Sequence, residues 1–127
     1  KKTLNQSNDL YTKEKGDKVS VSVIIATHNP NGELLSCLSA FKGLKLNAHL
    51  SSLEIIVVGY ISKGLQNIIK EQYEGVTVIS TPEYRSVPEL RAMGMKAARN
   101  DVVALLEDHC LPDTGWLNSV IDSALSG

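Results

Sequence analysis

The 127-residue chain has no marked surplus of either charge: 13 Lys and Arg stand against 14 Asp and Glu, a formal net charge of -1. Without a basic excess there is no electrostatic case for a nucleic acid partner, whose phosphates are held by clustered Lys and Arg. No apolar stretch reaches the length of a membrane span, and the amino terminus lacks the apolar core of a signal peptide. The chain therefore reads as cytoplasmic or peripheral to a membrane. It has only two cysteines, Cys37 and Cys110, in neither metal-finger nor redox spacing, which favours reduced thiols over a disulfide. Internal repeats and low-complexity tracts are also missing, so solenoid and disordered-tract readings fall away. The length suits one domain with a modest core and is small for a complete α/β enzyme.

What the chain does have is short apolar runs alternating with helical patterns. Residues 1–18 are rich in Lys, Asn, Asp and Gln without a sustained period and read as a mobile polar leader. Val21-Ser22-Val23-Ile24-Ile25, within residues 19–26, reads as a first buried strand. Asn29 then suits a helix cap with Pro30 at the first position, and Leu34, Leu35, Leu38 and Phe41 recur at helical spacing until Gly43. After a connector over 44–52, residues 53–58 form a second strand, and Leu65, Ile68, Ile69 and Tyr73 mark a second helix ended by Gly75. Residues 76–80 give a third strand. Ser86 and Glu89 form a capping box opening a helix over 87–99, with Leu90, Met93 and Ala97 facing inward. Residues 102–106 are the fourth strand, followed by a last helix carrying Trp116, Leu117, Val120, Ile121 and Ala124 on one side. Strands alternating with helices in this way predict an α/β fold: an open, mainly parallel sheet with helices on both faces.

The fourth strand runs directly into Glu107-Asp108-His109. Three potential metal ligands at the carboxyl end of a buried parallel strand lie where open α/β sheets bind ligands. Carboxylate and imidazole together suit Mn²⁺ or a similar borderline divalent ion, whose usual work beside a nucleotide is to neutralise phosphate charge. Cys110 could add a ligand, although a small apolar filler is the simpler reading. The ends of strands one, two and four place Thr27-His28-Asn29, Gly59-Tyr60 and Glu107-Asp108-His109 along one crevice.

At these residues the chain resembles the inverting glycosyltransferases of family 2, which have the GT-A fold. Val21-Ser22-Val23-Ile24-Ile25-Ala26-Thr27-His28-Asn29 is similar to the family's opening strand and its Pro-Thr-Tyr-Asn turn, with Ala26 for Pro and His28 for Tyr. Glu54-Ile55-Ile56-Val57-Val58 resembles the second strand, and Leu90-Arg91-Ala92-Met93-Gly94 the Ala-Arg-Asn-x-Gly helix. The stretch from Ala98 to His109 resembles the approach to the Asp-x-Asp motif. The family's topology implies the strand order three, two, one, four. The resemblance also implies a nucleotide-diphosphate sugar donor, with Thr27, His28 and Asn29 bordering the nucleoside and Gly59 and Tyr60 beside it. His28 would stack on the base. Arg91 would approach the diphosphate, Asp108 would sit at ribose and metal, and Glu107, Asp108 and His109 would hold Mn²⁺ or Mg²⁺.

Two departures follow from the same comparison. The family's second strand ordinarily ends in Asp-Asp-Gly-Ser, whose first Asp reads the base, whereas this chain has Gly59-Tyr60-Ile61-Ser62. His109 in place of the motif's last Asp removes a negative charge and makes metal affinity pH-dependent, because imidazole must be neutral to ligate. The family's acceptor half, with its general base, lies beyond the nucleotide half, so no catalytic residue is assigned in this chain. Residues 19–127 are thus expected to be the nucleotide-sugar-binding, N-terminal part of a GT-A glycosyltransferase of hexosyltransferase type. Such an enzyme transfers a sugar with inversion to a saccharide, lipid or protein acceptor. The alternative is a non-catalytic nucleotide- or metal-binding module of the same fold, with a metal-assisted phosphoester hydrolase as a weaker third.

Overall fold

The runs Val23-Ile24-Ile25, Ile56-Val57-Val58 and Val102-Val103-Ala104 are too apolar for a sheet with one wet face, and each lies in a strand buried on both sides. The computed structural model describes residues 2–4, 18–28, 30 and 32–126. Its elements are β1 (Lys2–Leu4), β2 (Val19–Thr27), α1 (Gly32–Lys42), β3 (Leu50–Gly59), α2 (Lys63–Gln72), β4 (Val76–Ser80), α3 (Val87–Ala97), β5 (Val102–Glu107) and α4 (Thr114–Ser126). All pairings are parallel, in the order β1-β5-β2-β3-β4. The last four strands thus follow the expected three, two, one, four order. β1 is an addition, since the sequence places no strand in the polar leader. Its register, Lys2 with Val102 and Leu4 with Ala104, uses the open main-chain edge of β5, which needs no apolar pattern. The expected mobility of the rest of that leader falls on residues 5–17, outside the described residues.

Period-two alternation assigns the strand side chains to two cores. Val21, Val23, Ile25, Val57, Ala104 and Leu106 point to one face, where Leu34, Cys37 and Leu38 of α1, Ile69 of α2, and Leu117, Ile121 and Ala124 of α4 cover them. Ile24, Ala26, Ile56, Val58 and Val103 point to the other, covered by α3 through Leu90 and by Ala98 just past its end. Trp116 packs edge-on against Phe41, with centroids 6.0 Å apart, at the margin of the first core.

The inward face of α3 differs from the expected one. Met93 is 36% exposed and Ala97 is exposed, whereas Leu90, Gly94 and Ala98 are buried at a spacing of four. The helix lies so close to the sheet that a Cβ on Gly94 would stand 2.5 Å from Ile24 Cγ2 and 3.1 Å from Val58 Cγ2. A buried glycine leaves no apolar mark in a sequence, so the periodicity pointed to its large neighbour. α3 also ends at Ala97 rather than Arg99, and its start carries the expected capping box from Ser86 and Glu89. α1 begins at Gly32, not Pro30, and its expected cap Asn29 lies outside the described residues.

At the amino end of the sheet a polar network ties α3 to the strands. Ser22, fully buried on β2, donates to Glu54 Oε1 at 2.6 Å and accepts from the Asn100 N–H at 3.2 Å. Glu54 also accepts from the Arg99 N–H at 3.0 Å and Nε at 3.1 Å, and Asn100 Nδ2 donates to the Val21 carbonyl at 2.8 Å. Burial alone would raise the Glu54 carboxyl, but the bonds from Arg99 and Ser22 and the guanidinium charge together hold it below its ordinary value. The Arg99-Asn100 pair thereby fixes the turn from which β5 runs across the sheet to the site.

Candidate functional site

β2 occupies the middle of the sheet, with β3 on one side and β5 on the other, so the chain reverses its direction of winding beside β2. Such a switch point leaves a crevice at the carboxyl ends of the strands because the flanking loops diverge there. The register pairs Thr27 with Gly59 and Ala26 with Glu107, bringing the three strand ends together as expected. Thr27 is fully buried, and its Oγ1 donates to Asp108 Oδ2 at 2.7 Å. One carboxylate oxygen is thus committed to the central strand, which orients the other.

A cleft of about 220 Å³ opens there, lined by Ala26, His28, Val87, Arg91, Glu107, Asp108 and His109. It gathers five of the expected site residues from three separate segments of sequence: His28 just past the end of β2, Arg91 from α3, and Glu107, Asp108 and His109 at and just past the end of β5. Arg91 Nε is shielded from solvent and has no hydrogen-bond partner. A buried donor left unpaired costs about 1–3 kcal/mol, so this guanidinium is suited to an anionic ligand in the cleft. Beside it, His109 Nε2 lies 3.0 Å from Glu107 Oε2 and Nδ1 lies 3.6 Å from Asp108 Oδ1. Glu107, His109 and Cys110 place one ligand atom each within 4.8 Å of one another, a grouping in which Cys110 rather than Asp108 is the third member. The donor set of carboxylate, imidazole and thiol is chemically suited to a divalent ion.

Gly59 and Tyr60 stand at the neighbouring strand end and do not line the cleft, and Tyr60 is 57% exposed. At Gly59 a Cβ would meet Thr27 O at 2.3 Å and Thr27 Cγ2 at 2.7 Å, while the Gly59 carbonyl accepts from the Thr81 N–H at 2.9 Å. A side chain there is therefore excluded by backbone, not merely absent. Asn29, the third expected nucleoside neighbour, lies outside the described residues.

Sequence reasoning passed over the loop after β4. Tyr84 packs on His28 with ring centroids 4.5 Å apart and planes tilted by 36°. Its hydroxyl is 2.9 Å from His28 Nδ1, and His28 Nε2 is 3.1 Å from the Arg85 carbonyl. A carbonyl only accepts, so Nε2 carries the proton, and in the neutral ring Nδ1 accepts from Tyr84. Both ring nitrogens are thereby occupied, and His28 offers the cleft its ring surface alone. Nothing in the loop's composition marked Tyr84, because its partner is 56 residues away.

Cys37 and Cys110 are both free thiols, as expected. Burial, reinforced by the nearby Cys110 and Asp108, pushes the Cys37 thiol up to about 12, which leaves it an inert core residue. No helix among the described residues is long and apolar enough to cross a membrane.

The parallel α/β sheet flanked by helices is a fold of the GT-A kind. The profile of Glycosyl transferase family 2 matches residues 22–127, and the chain belongs to that family. Among solved structures it is similar to the S. aureus protein described as TarS 1-349, with 18% identity and a TM-score of 0.65. That match covers 79% of this chain and 30% of the TarS chain, so the fold is shared over less than a third of the solved relative. No curated protein matches significantly.

Proposed function

We propose that the chain is the donor-binding part of an inverting glycosyltransferase of hexosyltransferase type, taking a nucleotide-diphosphate sugar in the cleft outside β2 and β5. The single observation that carries this reading is one cleft lined by Arg91, whose Nε is unpaired, together with Asp108 and His109, within a family 2 domain. Arg91 binds the diphosphate, and the ring of His28, held by Tyr84 and Arg85, supplies a flat wall for the nucleoside. Asp108, fixed by Thr27, faces the ribose and orients His109. Glu107, Asp108 and His109 are the residues to hold a divalent ion, Mn²⁺ or Mg²⁺ in the manner the resemblance implies. When bound, such an ion stabilises the negative charge that accumulates on the departing nucleoside diphosphate. Inversion requires an activated acceptor hydroxyl opposite the leaving group; acceptor and base are assigned to the part of the relatives that this chain does not cover.

Gly59 supports a second reading, a nucleotide- or metal-binding module without turnover, because the base-reading carboxylate position is closed by Thr27. Both readings share the donor site, and two variants test it. His28→Ala should weaken several nucleoside diphosphates by similar factors, on the order of 1 kcal/mol, since stacking accepts any base. Asp108→Asn should instead remove most of the metal-dependent gain in affinity. Unchanged binding in both variants, or a loss confined to uridine diphosphate in His28→Ala, contradicts the assignment. Sugar release from the donor separates the enzyme from the module.

A further inference from the structure

β4 closes one side of the sheet: its main chain pairs with β3, and among the described residues no strand lies on its other edge. Val76-Thr77-Val78-Ile79-Ser80 holds no charge and no proline, and its register with β3 runs without a bulge. Charge, proline and bulges are devices by which natural sheets commonly keep such edges from pairing, and this edge lacks all three. Just past the strand the Thr81 N–H donates to the Gly59 carbonyl of β3. Alternation along the strand then turns the N–H and C=O of Val78 and Ser80 outward, away from β3. We propose that this edge takes up an extended acidic segment of a partner protein as an added strand, with carboxylates at alternate positions lying against Lys63 and Lys70 of α2.

Charge selects the occupant. Lys63, Gln66, Asn67 and Lys70 recur at i, i+3, i+4 and i+7, so they share one face of α2. With Val76 and Val78 they line a groove of about 350 Å³ along the strand. No acidic residue lines that groove, and neither lysine has an ion-pair partner among the described residues. Glu74, which follows α2, borders a different cleft beside Lys42 and Tyr73. The two lysines stand about 10.5 Å apart along the helix, and three alternate residues of an extended chain cover about 13 Å. A Glu-x-Glu-x-Glu segment therefore sets a carboxylate within reach of each ammonium while its main chain pairs with Val78 and Ser80. Main-chain pairing supplies affinity in such an arrangement, and the alternate side chains supply selectivity. A second copy fits less well: β4 against β4 about a two-fold axis puts both α2 stripes on one face of the joined sheet, lysine toward lysine. β3 lies between β4 and the strands that bear the donor cleft, so peptide and nucleotide bind independently.

The test is titration of the ¹⁵N-labelled chain with a short capped peptide of alternating glutamate and threonine, followed by amide NMR. The β4 amides should shift, with exchange slowed at least about tenfold at Val78 and Ser80 and little changed at Thr77 and Ile79, which already face β3. A peptide with lysine in place of glutamate should not bind. N-methylating alternate residues of the glutamate peptide should abolish the protection in one of the two possible registers and not in the other. Lys63→Glu combined with Lys70→Gln should weaken binding at least about tenfold with an unchanged circular dichroism spectrum. No binding by the unaltered chain, binding without protection at Val78 and Ser80, or full affinity in the double variant overturns the proposal. So does displacement of the peptide by uridine diphosphate, which would seat its carboxylates beside Arg91 instead. A dimer on sedimentation with the same two amides protected before peptide is added would make a second copy the occupant and overturn it equally.

Discussion

Replacing Gly59 by alanine probes the junction on which the site is built. The added Cβ would stand 2.3 Å from Thr27 O and 2.7 Å from Thr27 Cγ2, roughly an ångström inside ordinary contact, and the nearest atom is backbone that no rotamer change can move. The tips of β2 and β3 must therefore part. Overpacking of this kind costs about 1–3 kcal/mol, and straining the Thr81 N–H bond to the Gly59 carbonyl adds about 0.5–1.5 kcal/mol. Restricting the unfolded chain returns about 0.4–1 kcal/mol, for a net destabilisation of about 0.5–4 kcal/mol. Gly64→Ala is the control: it lies in α2 with nothing within 4 Å of its Cβ, and it should gain up to about 1 kcal/mol from helix propensity. Urea unfolding of the three proteins reads both effects as midpoint shifts of opposite sign. If Gly59→Ala unfolds at or above the wild-type midpoint while Gly64→Ala behaves as stated, the close approach of Gly59 to Thr27 is wrong. Gly59→Asp should be at least as destabilised, so it will not restore a base-reading carboxylate.

Three further outcomes follow from particular contacts. Glu54 has its carboxyl held below the ordinary 4.5, so its contribution is fully present above that value and is lost as pH falls through the lowered one. The stability gap between wild type and Glu54→Gln should accordingly shrink from about pH 7 to about pH 3, and a gap independent of pH would refute the network. Cys37, with its thiol pushed up to about 12, should resist alkylation in the folded chain while Cys110 is modified, as mass spectrometry can count; equal labelling would contradict its burial. Tyr84→Phe keeps the ring but removes the hydrogen bond to His28 Nδ1, so the ¹⁵N shifts of His28 should move from a single Nε2-protonated tautomer toward a mixture. Unchanged shifts would show that Tyr84 does not set the tautomer.

The buried strands and their parallel pairing were legible because short apolar runs alternate with helical periods, while their order came from the family resemblance. The meeting of Thr27, Gly59 and Glu107 was legible for the same reason, since the carboxyl ends of parallel strands lie together at a switch point. Less was visible where no side-chain pattern exists. The sequence over β1 carries no apolar period, and Leu50-Ser51-Ser52 at the start of β3 is partly exposed, which made it read as connector. In α3 the closest approach is made by Gly94, whose lack of a side chain is what packing there requires. Within the site, Asp108 and His109 stood out by position. Tyr84 did not, because its role is set by a contact with His28 across the fold. Cys110 packs partly buried against the first core, the place of a small filler, while its sulfur also lies near Glu107 and His109, a proximity that the turn sets and spacing does not show.

The donor site itself is tested most directly by calorimetric titration of the chain with uridine, guanosine and thymidine diphosphates, each with a divalent ion and again with chelator. The proposed function puts the diphosphate in the cleft lined by Arg91, Asp108 and His109, so all three should bind, and all three should bind more tightly with the ion present. Identical affinities with ion and with chelator, or no binding of any of the three, would contradict it.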